Sequence, residues 1–186
     1  ENLKRNDTAK EGSLLYLTKP LGIGIVTTAQ KKGIVKDEHL KEAIETMLTL
    51  NSLGIEIGKL AYVNAMTDVT GFGLLGHLCE MCEGSGLSAE IEFANVPRFN
   101  FLGPYIQQKS MPGGTTRNLD SYGYKISKLS DEQKAILADP QTSGGLLVSV
   151  TPDKAQDFQN FAQSKGFALS PFGKLIGRRP EVITVL

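Results

Sequence analysis

Residues 67–77 read Thr67-Asp68-Val69-Thr70-Gly71-Phe72-Gly73-Leu74-Leu75-Gly76-His77, and their types and spacing could do chemistry. A carboxylate stands just ahead of a glycine-punctuated turn. Beyond the turn, Leu75, Leu78, Cys79 and Cys82 recur at helical spacing. The spacing predicts a helix over 72–83, stopped at Gly84, with Thr70 as its cap. Gly71 and Gly73 let the backbone bend tightly and approach another group closely. The N–H groups and partial positive charge of a helix N-terminus attract an anion, and Asp68 beside them can hold a hard cation through oxygen. Together these make half of a site for a magnesium–nucleotide complex. An Asp ahead of a helix is also the ordinary place for a cap, so spacing alone leaves both readings open.

Two further segments could meet an anion. Gly113-Gly114-Thr115, followed by Arg117 and Asn118, reads as a loop offering backbone N–H groups, a hydroxyl and a guanidinium. Arg grips phosphate oxygens with two bonds at once; the alternative for Arg117 is a surface ion pair. Thr142-Ser143-Gly144-Gly145 offers two hydroxyls next to a strand, and its glycines also suit a plain turn. Neither segment is a Walker A loop, and Gly71-Phe72-Gly73-Leu74-Leu75-Gly76 misses the dinucleotide-binding spacing with no clear apolar strand ahead of it. Cys79 and Cys82 form a Cys-x-x-Cys without the further ligands of a structural zinc site, and at i and i+3 they read as small buried hydrophobes. Neither His77 nor His39 has a nucleophile partner at motif spacing.

These residues must be positioned by a chain of 186 residues, enough for one domain with a real core. Twenty basic and twenty acidic residues balance, which argues against a dedicated nucleic-acid or membrane-surface protein. The charge is uneven: residues 37–92 hold two basic and ten acidic side chains, and both flanks are net positive. Asp68 lies in this acidic stretch, where Glu42, Glu45, Glu80 and Glu83 read as solvated helix faces. No apolar run is long enough to span a membrane. The polar start carries no secretory pattern and lacks an initiator Met, which reads as a piece of a longer, cytoplasmic protein with reduced thiols.

Residues 1–13 read as a linker or arm, and 14–186 as the domain. Strands are expected at 14–18, 89–93, 146–150 and 182–186. Helices are expected at 38–50 with Asp37 as cap, at 131–137 behind the capping box Ser130-Asp131-Glu132-Gln133, and after Thr151-Pro152 to Gly166. Leu40, Ala43, Ile44, Met47 and Leu48 give the helix at 38–50 one apolar face. Residues 23–30 and 52–66 are ambiguous, and 97–128 is the longest irregular part. Strands interleaved with helices predict a layered α/β (α+β) domain whose mixed β-sheet is flanked by helices. Leu74, Leu75 and Leu78 surround so much of their helix that an exposed apolar patch is expected near His77.

Three motifs in order become informative together: Leu17-Thr18-Lys19-Pro20-Leu21-Gly22, residues 67–78, and Ala138-Asp139-Pro140-Gln141-Thr142-Ser143-Gly144-Gly145-Leu146-Leu147. This pattern, with Pro112-Gly113-Gly114-Thr115-Thr116-Arg117-Asn118, resembles the selenophosphate synthetase (selenide, water dikinase) family over nearly all of 14–186. The wider superfamily is that of aminoimidazole ribonucleotide synthetases. The resemblance implies the C-terminal domain fold of that superfamily. It also implies that ATP, selenide and water give selenophosphate, AMP and phosphate with Mg2+, in a homodimer of two-domain subunits. The N-terminal domain, with its reactive Cys or selenocysteine, would be absent here. By resemblance Asp68 is a magnesium ligand, Thr67, Thr70 and Gly71 shape its turn, and Gly113, Gly114, Thr115 and Arg117 contact phosphate or selenide. ATP and selenide are then small-molecule partners; nucleic acid and membrane are not. The competing expectations are another ATP-using enzyme of the superfamily and a non-catalytic nucleotide- or protein-binding module.

Overall fold

The apolar runs at 14–17 and 146–150 become neighbouring central strands, and the rest of the architecture is built outward from them. The computed structural model describes residues 3–186; Glu1 and Asn2 of the linker segment lie outside them. In chain order the elements are β1 (Leu14–Leu17), α1 (Ile23–Lys31), α2 (Asp37–Leu48), α3 (Leu53–Ile57), β2 (Val63–Asp68), α4 (Gly73–Ser85) and β3 (Leu87–Ile91). They continue with α5 (Gly103–Gln107), α6 (Gly113–Tyr122), α7 (Asp131–Leu137), β4 (Leu146–Val150), α8 (Ala155–Ser164), β5 (Gly173–Gly177) and β6 (Ile183–Val185). The strands form one mixed sheet in the order β2-β4-β1-β5-β3-β6. Neighbours are antiparallel except β3 and β6, which are parallel.

Both faces of the sheet are covered, as the alternation of side chains requires. Leu15, Leu17 and Leu147 point into the larger core with Val26, Leu74, Leu75 and Leu78. Tyr16, Leu146, Val148 and Val150 point to the other side, where Leu53 and Ile57 of α3 and Phe158 of α8 cover them. β4 is therefore buried along its whole length. Among the described residues no helix is long and apolar enough to cross a membrane.

The expected layered α/β domain with a mixed sheet is what forms, and several local expectations change. The ambiguous stretches resolve into α1, α3 and β2, so a half-buried strand that ends on Asp68 does precede the glycine turn. α4 runs two residues past the expected stop and ends on Gly86, whose φ of 69° is left-handed. Thr70 does not cap it: the cap position is Phe72, without a side-chain hydrogen bond. The Gly113–Thr115 segment is the first turn of α6 rather than a loop. Asp37 is the first residue of α2, not its cap, and Thr151 makes no side-chain cap ahead of the short 3-10 turn at 152–154. The capping box at Ser130 and Gln133 forms as expected. Short β5, bracketed by glycines, carries too little apolar alternation to read from sequence. The leucines expected to make an apolar patch near His77, Leu74, Leu75 and Leu78, are all fully buried, and the exposed apolar side chain there is Phe72, 51% exposed with its ring 5.9 Å from that of His77. Other exposed apolar side chains include Leu48 on α2, 74% exposed, and Ile55 on α3, 67%. Residues 4–13 contain no helix or strand and bond to the domain, with Thr8 Oγ1 donating to Asn64 O and Gly12 N–H to Leu175 O.

Candidate functional site

β4 lies between β1 and β2 and runs against both, so the C-terminal ends of β1 and β2 and the N-terminal end of β4 share one sheet edge. The register is explicit: Leu17 faces Leu147, and Asp68 faces Leu146. The three motifs that follow or precede these ends, separated by tens of residues in sequence, are thereby gathered at one place.

Close backbone approach fixes their arrangement. Gly144 is pressed against Val69, so that a Cβ there would lie 2.0 Å from the Val69 carbonyl oxygen. A Cβ on Gly145 would lie 2.5 Å from Lys19 N. Val69 N–H donates to Gly145 O at 2.8 Å, Gln141 N–H to Thr70 O at 3.0 Å, and Leu146 N–H to Thr18 Oγ1 at 2.7 Å. Glycine at 144 and 145 is thus a packing requirement, and the turn reading of these residues holds.

The start of α6 joins the same edge. Gly114 rests on Pro140, where a Cβ would meet Cγ at 2.6 Å. Buried Asn118 donates through Nδ2 to Gly71 O at 2.9 Å and to Ala138 O at 3.0 Å. Tyr122 donates its hydroxyl to Phe72 O at 2.6 Å. The turn at 67–71 and the first turn of α6 are therefore joined through Asn118 and Pro140, not through Asp68 or Arg117.

The individual side chains differ in what they can offer. Asp68 is exposed at the tip of β2. Thr67 is half-buried beside it, its hydroxyl 3.4 Å from Asp68 O. Thr70 is held by His77, Oγ1 to Nε2 at 3.1 Å, and His77 Nδ1 is 3.1 Å from Glu80 Oε2. Gly71 faces open space, with nothing within 4 Å of where a Cβ would be. Gly113 and Arg117 are exposed, and Arg117 Nη1 lies 3.4 Å from the Cβ position of Gly113. Thr115 is turned into the domain at 1% exposure, so its hydroxyl is not presented at the surface. Among the described residues no group of three or more His, Cys, Asp or Glu could hold a metal ion.

Two charged groups behind the edge were quoted in the sequence motifs without a role. Asp139 is fully buried; its Oδ2 accepts Gly24 N–H at 2.9 Å and Gln141 Nε2 at 2.8 Å. Burial outweighs these bonds and pushes its pKa up to about 7. Lys19 is 6% exposed, and burial lowers its pKa. A lone charged residue next to Pro in each motif was the only signal available. Cys79 and Cys82 are buried, and burial pushes both thiols up to about 12. They pack as hydrophobes.

The family of AIR synthase related proteins, C-terminal domain, matches residues 10–185. The chain belongs to that family. Within this AIR synthase related group, a protein named selenide, water dikinase from Pseudomonas putida is 55% identical over 185 residues, covering 100% of this chain and 54% of that protein. The chain spans about half the length of the curated relatives it matches. Among solved structures, thiamine-monophosphate kinase from Stenotrophomonas maltophilia superposes with a TM-score of 0.70 at 17% identity, over 97% of this chain and 52% of that one. A hydrogenase maturation protein HypE in complex with ATP gives 0.63 at 14% identity, over 94% and 45%. At these identities the structural likeness establishes the fold, that of the aminoimidazole ribonucleotide synthetase-like group.

Proposed function

We propose that this chain is the C-terminal domain of a selenide, water dikinase, with residues 1–13 leading from the N-terminal domain. In the full-length enzyme, working as a homodimer in the cytoplasm, ATP, selenide and water give selenophosphate, AMP and phosphate. The sequence relationship to the Pseudomonas putida enzyme supports the activity. The ATP complex of the fold relative HypE supports a nucleotide ligand.

Asp68 is the observation that carries the site. It is an exposed hard-oxygen donor at the edge where all four motifs meet. Magnesium takes near-octahedral oxygen coordination and usually includes substrate phosphates. One carboxylate fits one vertex of that octahedron, so the remaining ligands come from the nucleotide and the N-terminal domain. When bound, the metal would neutralise charge on the phosphate oxygens. Asp68 holds and orients that complex from this side. The bare backbone at Gly71, in the turn shaped by Thr67 and Thr70, leaves room for it. Arg117 and the N–H groups of Gly113 and Gly114, at the start of α6, face the anionic end of the substrate. Thr115 supports that turn from inside.

Calorimetric titration tests this reading. Mg·ATP binds the 186-residue chain weakly or not at all, and the chain alone forms no AMP from ATP and selenide. In the full-length enzyme Asp68→Asn abolishes turnover while the fold persists. Tight Mg·ATP binding by the isolated chain that Asp68→Asn removes would overturn the shared-site reading.

A further inference from the structure

Lys19, two residues past the end of β1, is 6% exposed, and its ammonium makes one hydrogen bond among the described residues, to Ser143 O at 2.7 Å. A buried cation is ordinarily paired with a carboxylate, because losing hydration without an opposite charge is costly. Among the described residues no carboxylate bonds to Lys19, and burial alone lowers its pKa. The surroundings are built rather than incidental. Gly145 is packed onto the Lys19 backbone. Asn51 Nδ2 donates to Gly144 O at 2.9 Å and pins the turn from the α3 side. Ser143 sits in the left-handed region at φ 51°, which a non-glycine residue rarely adopts, and so presents its carbonyl to the ammonium. Thr142 and Ser143 are both exposed at this corner. An ammonium with unused donors beside two exposed hydroxyl side chains is suited to a tetrahedral oxyanion.

We infer that Lys19, with the hydroxyls of Thr142 and Ser143, binds a phosphate group at this corner. The site stands on the Lys19 geometry. It rests on the dikinase reading only for the identity of the anion, which is either a phosphoryl group of the nucleotide or free phosphate. β4 stands between the strands that lead to Lys19 and Asp68, about 10 Å from backbone to backbone, so the two residues are tested by separate substitutions. The opposing explanation is that Lys19 only clamps the 142–145 turn.

Thermal unfolding of the 186-residue chain, at matched ionic strength, tests this with inorganic phosphate against chloride and with Mg·ATP. Phosphate raises the midpoint by about 2 °C at a few-fold excess over Kd and further with the logarithm of its concentration. Lys19→Met abolishes that shift, and in chloride it unfolds no lower than the wild type, because an unneutralised buried charge has been removed. Thr142→Val, at an exposed position, keeps the fold and weakens phosphate about fivefold, the loss of one hydrogen bond. A response to phosphate alone assigns the corner to free phosphate; a response to Mg·ATP only assigns it to the nucleotide. Asp68→Asn leaves the phosphate response intact, so failure of the metal reading is scored separately. Equal midpoints in phosphate, Mg·ATP and chloride would overturn the proposal. So would Lys19→Met unfolding earlier with the phosphate shift preserved, the signature of a clamp.

Discussion

The N–H of Gly24 donates to Oδ2 of Asp139 at 2.9 Å, across 115 positions of sequence, and ties the first turn of α1 to the turn that enters β4. Gln141 completes the junction by donating to the same oxygen. Oδ1 is buried without a partner among the described residues and crowds the place where a Cβ on Gly24 would be. The junction therefore needs glycine at 24 and a compact carboxyl at 139.

This carboxyl gives the domain a stability profile of unusual sign. The folded-state pKa is about 7, above the unfolded value near 3.9. Between those values the folded state binds a proton that the unfolded chain has released. Stability from this group is fully present below the unfolded pKa and is lost as pH rises toward 7. Asp139→Asn is expected to flatten the dependence between about pH 4 and 7. Denaturant midpoints across that range check it. An unchanged slope in the variant would assign the dependence elsewhere.

Asn118 is the second junction, holding Gly71 O and Ala138 O with one amide. Asn118→Ala leaves two carbonyls without that donor in a buried place, at a cost of about 2 kcal/mol. Asn118→Asp costs more, since it sets a carboxylate against two carbonyl oxygens. Urea midpoints rank wild type, Ala and Asp in that order.

The fold was readable where local chemistry decides it. The uninterrupted apolar run 146–150 and the Ser130–Gln133 box needed no tertiary information. The Thr70 hydroxyl has two possible partners, a backbone N–H and His77, and only the packed helix chooses the second. Two glycines oppose helix locally, so the Gly113 segment reads as a loop, whereas contact of Gly114 with Pro140 requires a residue without a side chain. Asp68 was legible as a candidate because its type and turn are contiguous in sequence. The roles of Lys19, Asn118 and Asp139 were not, since each acts on a residue distant in the chain.

The cysteines provide a test of the packing. Cys79 and Cys82 are 2% and 0% exposed, with thiols pushed up to about 12. The thiolate is the reactive form, so both thiols are expected to resist alkylation at pH 8 in the native state and to react at once in denaturant. Rapid native labelling at either position would contradict the burial of that face of α4.

Gly71 and Gly144 separate fold from function at the same edge. A methyl group on Gly144 collides with the Val69 carbonyl, a backbone atom that cannot move without shifting β2. Gly144→Ala is therefore expected to destabilise by about 3 kcal/mol or to prevent folding. A methyl group on Gly71 meets nothing within 4 Å, and its φ is not in the left-handed range. Gly71→Ala is expected to change stability by less than about 0.5 kcal/mol. If the space over Gly71 belongs to the nucleotide, the same substitution raises the KM for ATP of the full-length enzyme while leaving its melting midpoint in place. An unchanged KM would move the nucleotide away from this turn and leave Asp68 without the neighbour that the proposed site requires.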